Sequence, residues 1–366
     1  MIYLDNNAST KIYPEAIEAM VEAMESNANA GAPHTAGRKM RKIIEDSRVQ
    51  VAKLVGAKPE QLVFMSGATE ANNMALRGGG ETLCLVSAME HPSVKFVHPN
   101  TEVIPVDEHG IVDLKWLDNR LSSEKPGTVI VSIMYASHET GVLQPVKEVA
   151  KITSKHLQRC HLDAVQGAGK DYIDFTTLGV QSISIGGHKM GAVQGIGALI
   201  YDSALNLIPL IRGGGQEKSQ RPGTPNAPGA ASFAVAAEKC FATMDEKMKR
   251  LNFLREYMER IITERYQQVI VASKEKNRLA GTSRFILPGV PSEKQVMFMD
   301  LNGVCVSAGA ACSSGVVKPS ASLIAMGYSE ELAGSSIRVG MSWATTQEDI
   351  DVFLDTYEKM VNTLVK

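Results

Sequence analysis

The chain has 366 residues, with 38 Lys and Arg against 40 Asp and Glu, a net charge of −2 and a charged fraction of 21%. That length exceeds the ~250 to 300 residues at which a single hydrophobic core usually stops growing, so two domains are expected. The balanced charge lacks the basic excess that nucleic acid or an anionic membrane would require, and neither partner is expected.

In chain order, the opening Met1-Ile2-Tyr3-Leu4-Asp5 lacks the basic and apolar regions of a signal peptide, and no later apolar run approaches ~18 residues. A cytoplasmic protein is expected. Residues 40 to 54 repeat apolar positions Ile43, Ile44, Val51 and Leu54 near helical spacing. Short runs rich in β-branched residues follow at 62–65, 82–86, 128–134, 182–185 and 196–201, separated by helix-like stretches. This alternation predicts an α/β fold with a mostly parallel sheet.

A Gly and Pro cluster over residues 213–229 interrupts the pattern, and one long helix is expected from 231 to 265. Beyond it come apolar runs at 269–272, 284–287, 304–307 and 337–341. A closing helix follows, with a capping box at Thr345 and Glu348 and one apolar face of Ile350, Phe353, Tyr357, Met360 and Leu364. The expected division is a large domain over residues 13–250 and a small α+β domain formed by residues 1–12 together with 251–366.

Five scattered cysteines (Cys84, Cys160, Cys240, Cys305, Cys312) contain no CxxC pair, which argues against a disulfide framework and against a metal site. Cys84 and Cys305 lie in apolar runs and read as small buried hydrophobes. Cys312 lies among small residues, Ser307-Ala308-Gly309-Ala310-Ala311-Cys312-Ser313-Ser314-Gly315, a loop suited to presenting a reactive thiol.

Three further segments carry candidate chemistry. Gly186-Gly187-His188-Lys189 places a lysine in a Gly-flanked turn after a buried strand, where a bulky group can approach the backbone. Asp163 ends an apolar run with Gln166 three residues on, where open α/β sheets bind ligands; an Asp there could keep a pyridine nitrogen protonated or simply cap a helix. Ser66-Gly67-Ala68-Thr69-Glu70 lies between a strand and a helix, so backbone N–H groups and the Thr69 hydroxyl could meet a phosphate. It matches neither the Walker A pattern nor GxGxxG.

With these segments in this order, the chain resembles the cysteine desulfurases of the class V aminotransferase family, which use pyridoxal 5′-phosphate (PLP). The resemblance spans nearly the full length. It runs through Leu4-Asp5-Asn6-Asn7-Ala8-Ser9-Thr10, the stretch from Ser66 to Asn73, Glu90-His91, His138-Glu139-Thr140-Gly141, Asp163 with Gln166, and His188-Lys189. It continues through Arg221-Pro222-Gly223-Thr224, the Cys312 loop and Ile337-Arg338.

The resemblance implies a PLP-dependent transferase of fold type I, with a seven-stranded sheet in the large domain, and a role for each matching position. Lys189 would hold the cofactor and shuttle the proton at the substrate Cα. Asp163 would pair with the pyridine nitrogen, Gln166 with the phenolic oxygen, and His91 would stack on the ring and act on the substrate sulfur. Ala68, Thr69 and His188 would bind the phosphate, joined by Thr224 from the other subunit of a homodimer. Asn7 and Arg338 would bind the substrate, Arg338 through its carboxylate. Cys312 would accept sulfur from L-cysteine as a persulfide and pass it to an acceptor protein. The alternatives are another class V enzyme, such as a selenocysteine lyase or a lyase of a different amino acid, and a non-catalytic PLP-binding protein.

Four positions depart from the family pattern. His138 stands where an Asn usually contacts PLP. Gly186 stands where a phosphate-binding Ser or Thr is usual. Residues 190–195 lose the usual Tyr-Gly-Pro-Lys character, and Ala30-Gly31-Ala32 replaces an Asn-Pro-Ser-Ser motif.

Overall fold

A computed structural model describes residues 1–26, 28–308 and 318–365. Its strands are β1 (Ile2–Tyr3), β2 (Leu62–Met65), β3 (Leu83–Ser87), β4 (Thr101–Ile104), β5 (Val129–Met134), β6 (Arg159–Asp163), β7 (Ser182–Gly186), β8 (Gly197–Tyr201), β9 (Ile270–Val271), β10 (Thr282–Ile286), β11 (Val304–Cys305) and β12 (Ser336–Gly340). Seven of them form one sheet in the order β2-β8-β7-β6-β5-β3-β4. Only β8 runs against its neighbours. The mostly parallel seven-stranded α/β sheet is therefore as expected.

The central strands read as continuous apolar runs because helices cover both faces of a parallel sheet. All six residues of β5 are buried. The first core packs sheet residues such as Leu85, Val131, Leu162 and Ile183 against Met40, Ile44 and Val51 of the helix Thr35–Leu54 and Phe233 of the helix Ala227–Ala242. A second core gathers Leu4, Leu254, Met258, Phe285, Ile337, Phe353 and Tyr357. It surrounds the antiparallel sheet β12-β10-β9 and the parallel pair β1-β11. The amino-terminal strand thus joins the carboxy-terminal half of the chain.

Two sequence expectations need correction. The helix expected from 231 to 265 is two helices, Ala227–Ala242 and Met244–Arg265, broken at Thr243. There the Thr243 hydroxyl donates back to the Lys239 carbonyl at 2.9 Å, and Asp245 and Glu246 open the second helix, where its positive dipole end favours acids. The capping box of the closing helix, Gln347–Leu364, uses Thr346 and Asp349, one residue later than expected. Thr345 is unavailable because its hydroxyl accepts from the Ser342 N–H at 3.0 Å.

The sheet topology sets the location of the site. Strands β2, β3, β5, β6 and β7 all deliver their carboxyl ends to one edge, so the residues just beyond them converge there. The segment after β1 reaches the same edge because Asn6 N–H donates to the Gly340 carbonyl at 3.1 Å. Only glycine fits at 340: a Cβ there would lie 2.8 Å from Asn7 Oδ1 and 2.9 Å from the Asn7 nitrogen.

Candidate active site

Lys189 follows β7 through a short 3-10 turn spanning Gly187–Lys189. Its ammonium donates to the carbonyls of Asn7 at 2.5 Å and Ala8 at 2.8 Å, and its own carbonyl accepts from the Thr10 hydroxyl at 2.9 Å. Burial and the Arg338 charge, only partly opposed by Asp5 and Asp163, lower its pKa to about 8. An ordinary lysine is about 10.4, so far more of this amine is neutral and nucleophilic near neutral pH.

On the neighbouring strand, Asp163 is buried at the end of β6. Its oxygens accept from the Val165 N–H at 3.0 Å and the Asn72 amide at 2.9 Å. Burial raises its pKa despite those bonds and the nearby His91 and Lys189. A carboxylate in that condition gains from a cationic hydrogen-bond donor placed against it. Asn72 is itself held by His161 Nε2 at 3.1 Å, whose Nδ1 meets the Ser182 hydroxyl at 2.8 Å. Gln166 donates its amide to the Asn7 carbonyl at 2.9 Å, the same oxygen that Lys189 contacts.

His91 begins a short helical turn after β3, and its Nδ1 accepts from the Ser93 N–H at 3.1 Å, which leaves Nε2 to carry the proton in the neutral ring. The ring is exposed, and its centroid lies 6.0 Å from that of His138 in an edge-on arrangement. Burial, with Arg338, His91 and Lys189 adding to it against Glu139, lowers the His138 pKa to about 3. His138 is therefore neutral, and its 3.8 Å approach to Glu139 is no ion pair near neutral pH. His138 Nδ1 is buried without a hydrogen-bond partner.

Ala68 and Thr69 lie in the first turn of the helix Ala68–Arg77, whose N–H groups have no intrahelical acceptors. A Cβ at Gly67 would meet nothing within 4 Å, so the approach to that turn is open. His188 stands beside it, neutral because burial, Lys189 and Lys170 lower its pKa to about 4. A Cβ at Gly186 would sit 3.6 Å from Ala68 Cβ, ordinary contact, so packing does not require glycine there.

Arg338 is buried on β12 and donates to the His138 carbonyl at 3.0 Å and to Asp5 at 2.6 Å. Its fork is thus already engaged, while its Nε is buried without a partner. Asn7 donates to the His138 carbonyl at 3.2 Å and to Thr282 at 3.0 Å. Contacts thus link Lys189, Asn7, Gln166, His138 and Arg338 into one network.

Thr224 is exposed and makes no side-chain hydrogen bond among the described residues. Its loop is anchored within the chain by Arg221 on Glu70 at 3.0 Å and by Glu217, which pairs with buried Arg48 at 2.7 and 2.8 Å. Glu217, Lys218 and Ser219 all have positive φ, a strained run that the buried pair helps hold in place. Cys312 lies outside the described residues. Ser93, Lys170 and Arg284 are contributors that no sequence motif included, while Asn72 and Glu139 lie within matching stretches that assigned them no role.

These residues fit PLP. A partly neutral lysine, a buried carboxylate lacking a cation, an open helix N-terminus and an unpartnered imidazole nitrogen match its aldehyde, pyridinium, phosphate and ring oxygen respectively. Among the described residues there is no group of three His, Cys, Asp or Glu that could hold a metal ion. For His138→Asn, we expect a displaced cofactor absorbance band and a several-fold change in turnover with PLP retained, measured by spectrophotometry and steady-state kinetics. An identical spectrum and rate would place His138 outside the active centre.

Comparison with known proteins agrees with this geometry. The family model described as aminotransferase class-V matches residues 2–353. The chain is 36% identical to "Cysteine desulfurase IscS" of Dictyoglomus turgidum, over 99% of this chain and 95% of that one. It is 32% identical to "IscS-like cysteine desulfurase" of Mycobacterium tuberculosis, over 97% and 95%. Among solved structures, the NifS-like protein from Rickettsia africae superposes with a TM-score of 0.92 at 34% identity, covering 99% of each chain.

Proposed function

The chain belongs to the class-V aminotransferase family, and from that premise we propose that it is a PLP-dependent cysteine desulfurase, converting L-cysteine to L-alanine and passing the sulfur through Cys312 to an acceptor protein. The fold is that of the fold type I PLP enzymes. The observation that carries the reading is the pairing, at the ends of adjacent strands β6 and β7, of a buried carboxylate with a lysine whose pKa is lowered to about 8.

Bound PLP supplies an electron sink for the pair left at the substrate Cα when its proton departs. Lys189 anchors the cofactor, then removes and returns protons at Cα. Asp163 keeps the pyridine nitrogen protonated, Gln166 donates to the phenolic oxygen, and His91 covers the ring face. The first-turn N–H groups of Ala68 and Thr69, with His188, hold the phosphate, and Thr224 of a second subunit completes that site.

The exposed row Ile17, Val21 and Met24 on the helix Pro14–Glu25 supports a homodimer, because it leaves an apolar stripe uncovered in the single chain. Arg338 and Asn7 receive the substrate, and Arg338 exchanges Asp5 for the carboxylate. The Cys312 thiolate attacks the substrate sulfur: an S–S bond forms as the Cβ–S bond breaks, and the three-carbon remainder takes up a proton and leaves as alanine.

No helix among the described residues is long and apolar enough to cross a membrane; the cytoplasmic setting is our assignment. The test is Cys312→Ala loaded with PLP. Alanine release from L-cysteine should fall at least a hundredfold while the cofactor band is unchanged. Undiminished release would remove Cys312 from the reaction and favour a lyase that needs no thiol.

A further inference from the structure

The turn after β6 contains a second lysine that the reaction scheme leaves unused. Lys170 lines the same small cavity as Lys189, about 30 Å³ in volume, which also touches Thr10, Tyr13, Cys240 and Lys247. Among the described residues, no carboxylate lines that cavity. The nearest acid in sequence, Asp171, is already taken: its carboxylate accepts from the Tyr135 hydroxyl at 2.9 Å and the Tyr172 N–H at 2.7 Å.

The Tyr135 ring leaves no room for a side chain at Gly167, where a Cβ would lie 2.3 Å from it. The turn is fixed from its other side by Lys247, whose ammonium donates to the Gly169 carbonyl at 2.5 Å. Held this way, Lys170 donates to Gln166 Oε1 at 2.8 Å.

That bond and the donation to the Asn7 carbonyl together fix which way the Gln166 amide faces. Its oxygen points back to Lys170, and its NH₂ points to the Asn7 carbonyl beside Lys189. A flipped amide would set its NH₂ against the Lys170 donor and aim an oxygen into the site. We propose that Lys170 is a positioning residue that locks the Gln166 amide with its NH₂ toward the cofactor's phenolic oxygen, an assignment that rests on the reading of Lys189 as the PLP lysine.

Burial first, then Lys189, Arg338 and Lys247, with Cys240 opposing, lower the Lys170 pKa to about 7. The amine can donate to Gln166 in either protonation state.

The test is a pH titration of the absorbance band of the PLP-loaded protein. An NH₂ aimed at the phenolic oxygen favours its ionised form, so Lys170→Met, which leaves the amide held only by the Asn7 carbonyl, should raise the midpoint by about one pH unit, a tenfold change in the protonation equilibrium. Lys170→Arg, which keeps a donor, should return it toward the wild-type value. In a Gln166→Ala background, Lys170→Met should shift nothing, because the effect passes through Gln166.

A midpoint unchanged in loaded Lys170→Met, or a shift that persists in the Gln166→Ala background, overturns the proposal. If Lys170→Met does not fold, Lys170→Gln takes its place under the same criteria. If the wild-type chain gives no cofactor band at all, the reading of Lys189 fails, and the assignment of Lys170 falls with it.

Discussion

Lys189→Ala is expected to lower alanine release from L-cysteine by at least about a thousandfold and to abolish the cofactor band that the wild-type protein shows. One side chain performs two tasks, anchoring the cofactor and moving the Cα proton, and general acid–base catalysis alone is usually about 10² to 10⁴ in rate. The neighbouring lysines do not substitute. Lys170 is turned to Gln166 and Lys247 to the Gly169 carbonyl, so neither amine is aimed at the oxygen of Asn7, which Lys189 contacts. Absorbance spectra and an alanine assay on the purified variant check both parts. Turnover within tenfold of wild type would mean that Lys189 does not carry the chemistry.

Glu139→Gln is expected to destabilise the fold by about 3 kcal/mol, because removing one partner of a buried ion pair strands the other charge. Glu139 and Arg284 are both fully enclosed, with their charged groups 3.6 Å apart. Burial alone would raise the Glu139 pKa, but the Arg284 charge first, then His138 once it protonates in acid and the Ser320 hydroxyl, bring it down to about 2. Arg284 also donates to the Ala308 carbonyl at 2.9 Å and the Ser336 hydroxyl at 2.7 Å, and Ser320 donates to Glu139 at 2.5 Å. The pair therefore ties together the chain on both sides of the segment that contains Cys312.

A carboxyl with a depressed folded-state pKa contributes stability that is complete above its unfolded value and is lost as pH falls through the folded value. The gap between wild type and Glu139→Gln should thus be full near neutral pH and shrink as pH drops from about 4.5 toward about 2. Denaturant unfolding at several pH values measures it. A gap below 1 kcal/mol at pH 7 would mean that Arg284 is satisfied without Glu139.

Part of this site was legible in the sequence, since Asp163 ends an apolar run, Lys189 follows another, and a parallel sheet sends such positions to one edge; His138 was named only through the family pattern. Asn7 was legible only through the family pattern. What brings it to the site is the register of β1 against β11 and the close approach at Gly340, which no local spacing encodes. Lys170 was hidden for a related reason. Its importance comes from Asp171 being consumed by Tyr135, a contact across 36 residues, so the bare sequence suggests an ordinary adjacent charge pair.

Arg338 was expected to hold a substrate carboxylate, and the structure adds Asp5 as its partner. The break at Thr243 was missed because hydrophobic periodicity continues across it, while the back-bonded hydroxyl that marks it depends on the fold.

The most direct test of the central claim is mass analysis of PLP-loaded protein after a single equivalent of L-cysteine, without reductant, followed by peptide mapping. The account predicts one added sulfur atom on the peptide containing Cys312, with L-alanine released in matching amount. Alanine release with Cys312 unmodified and the sulfur on another cysteine, or no alanine despite full loading with PLP, would contradict it.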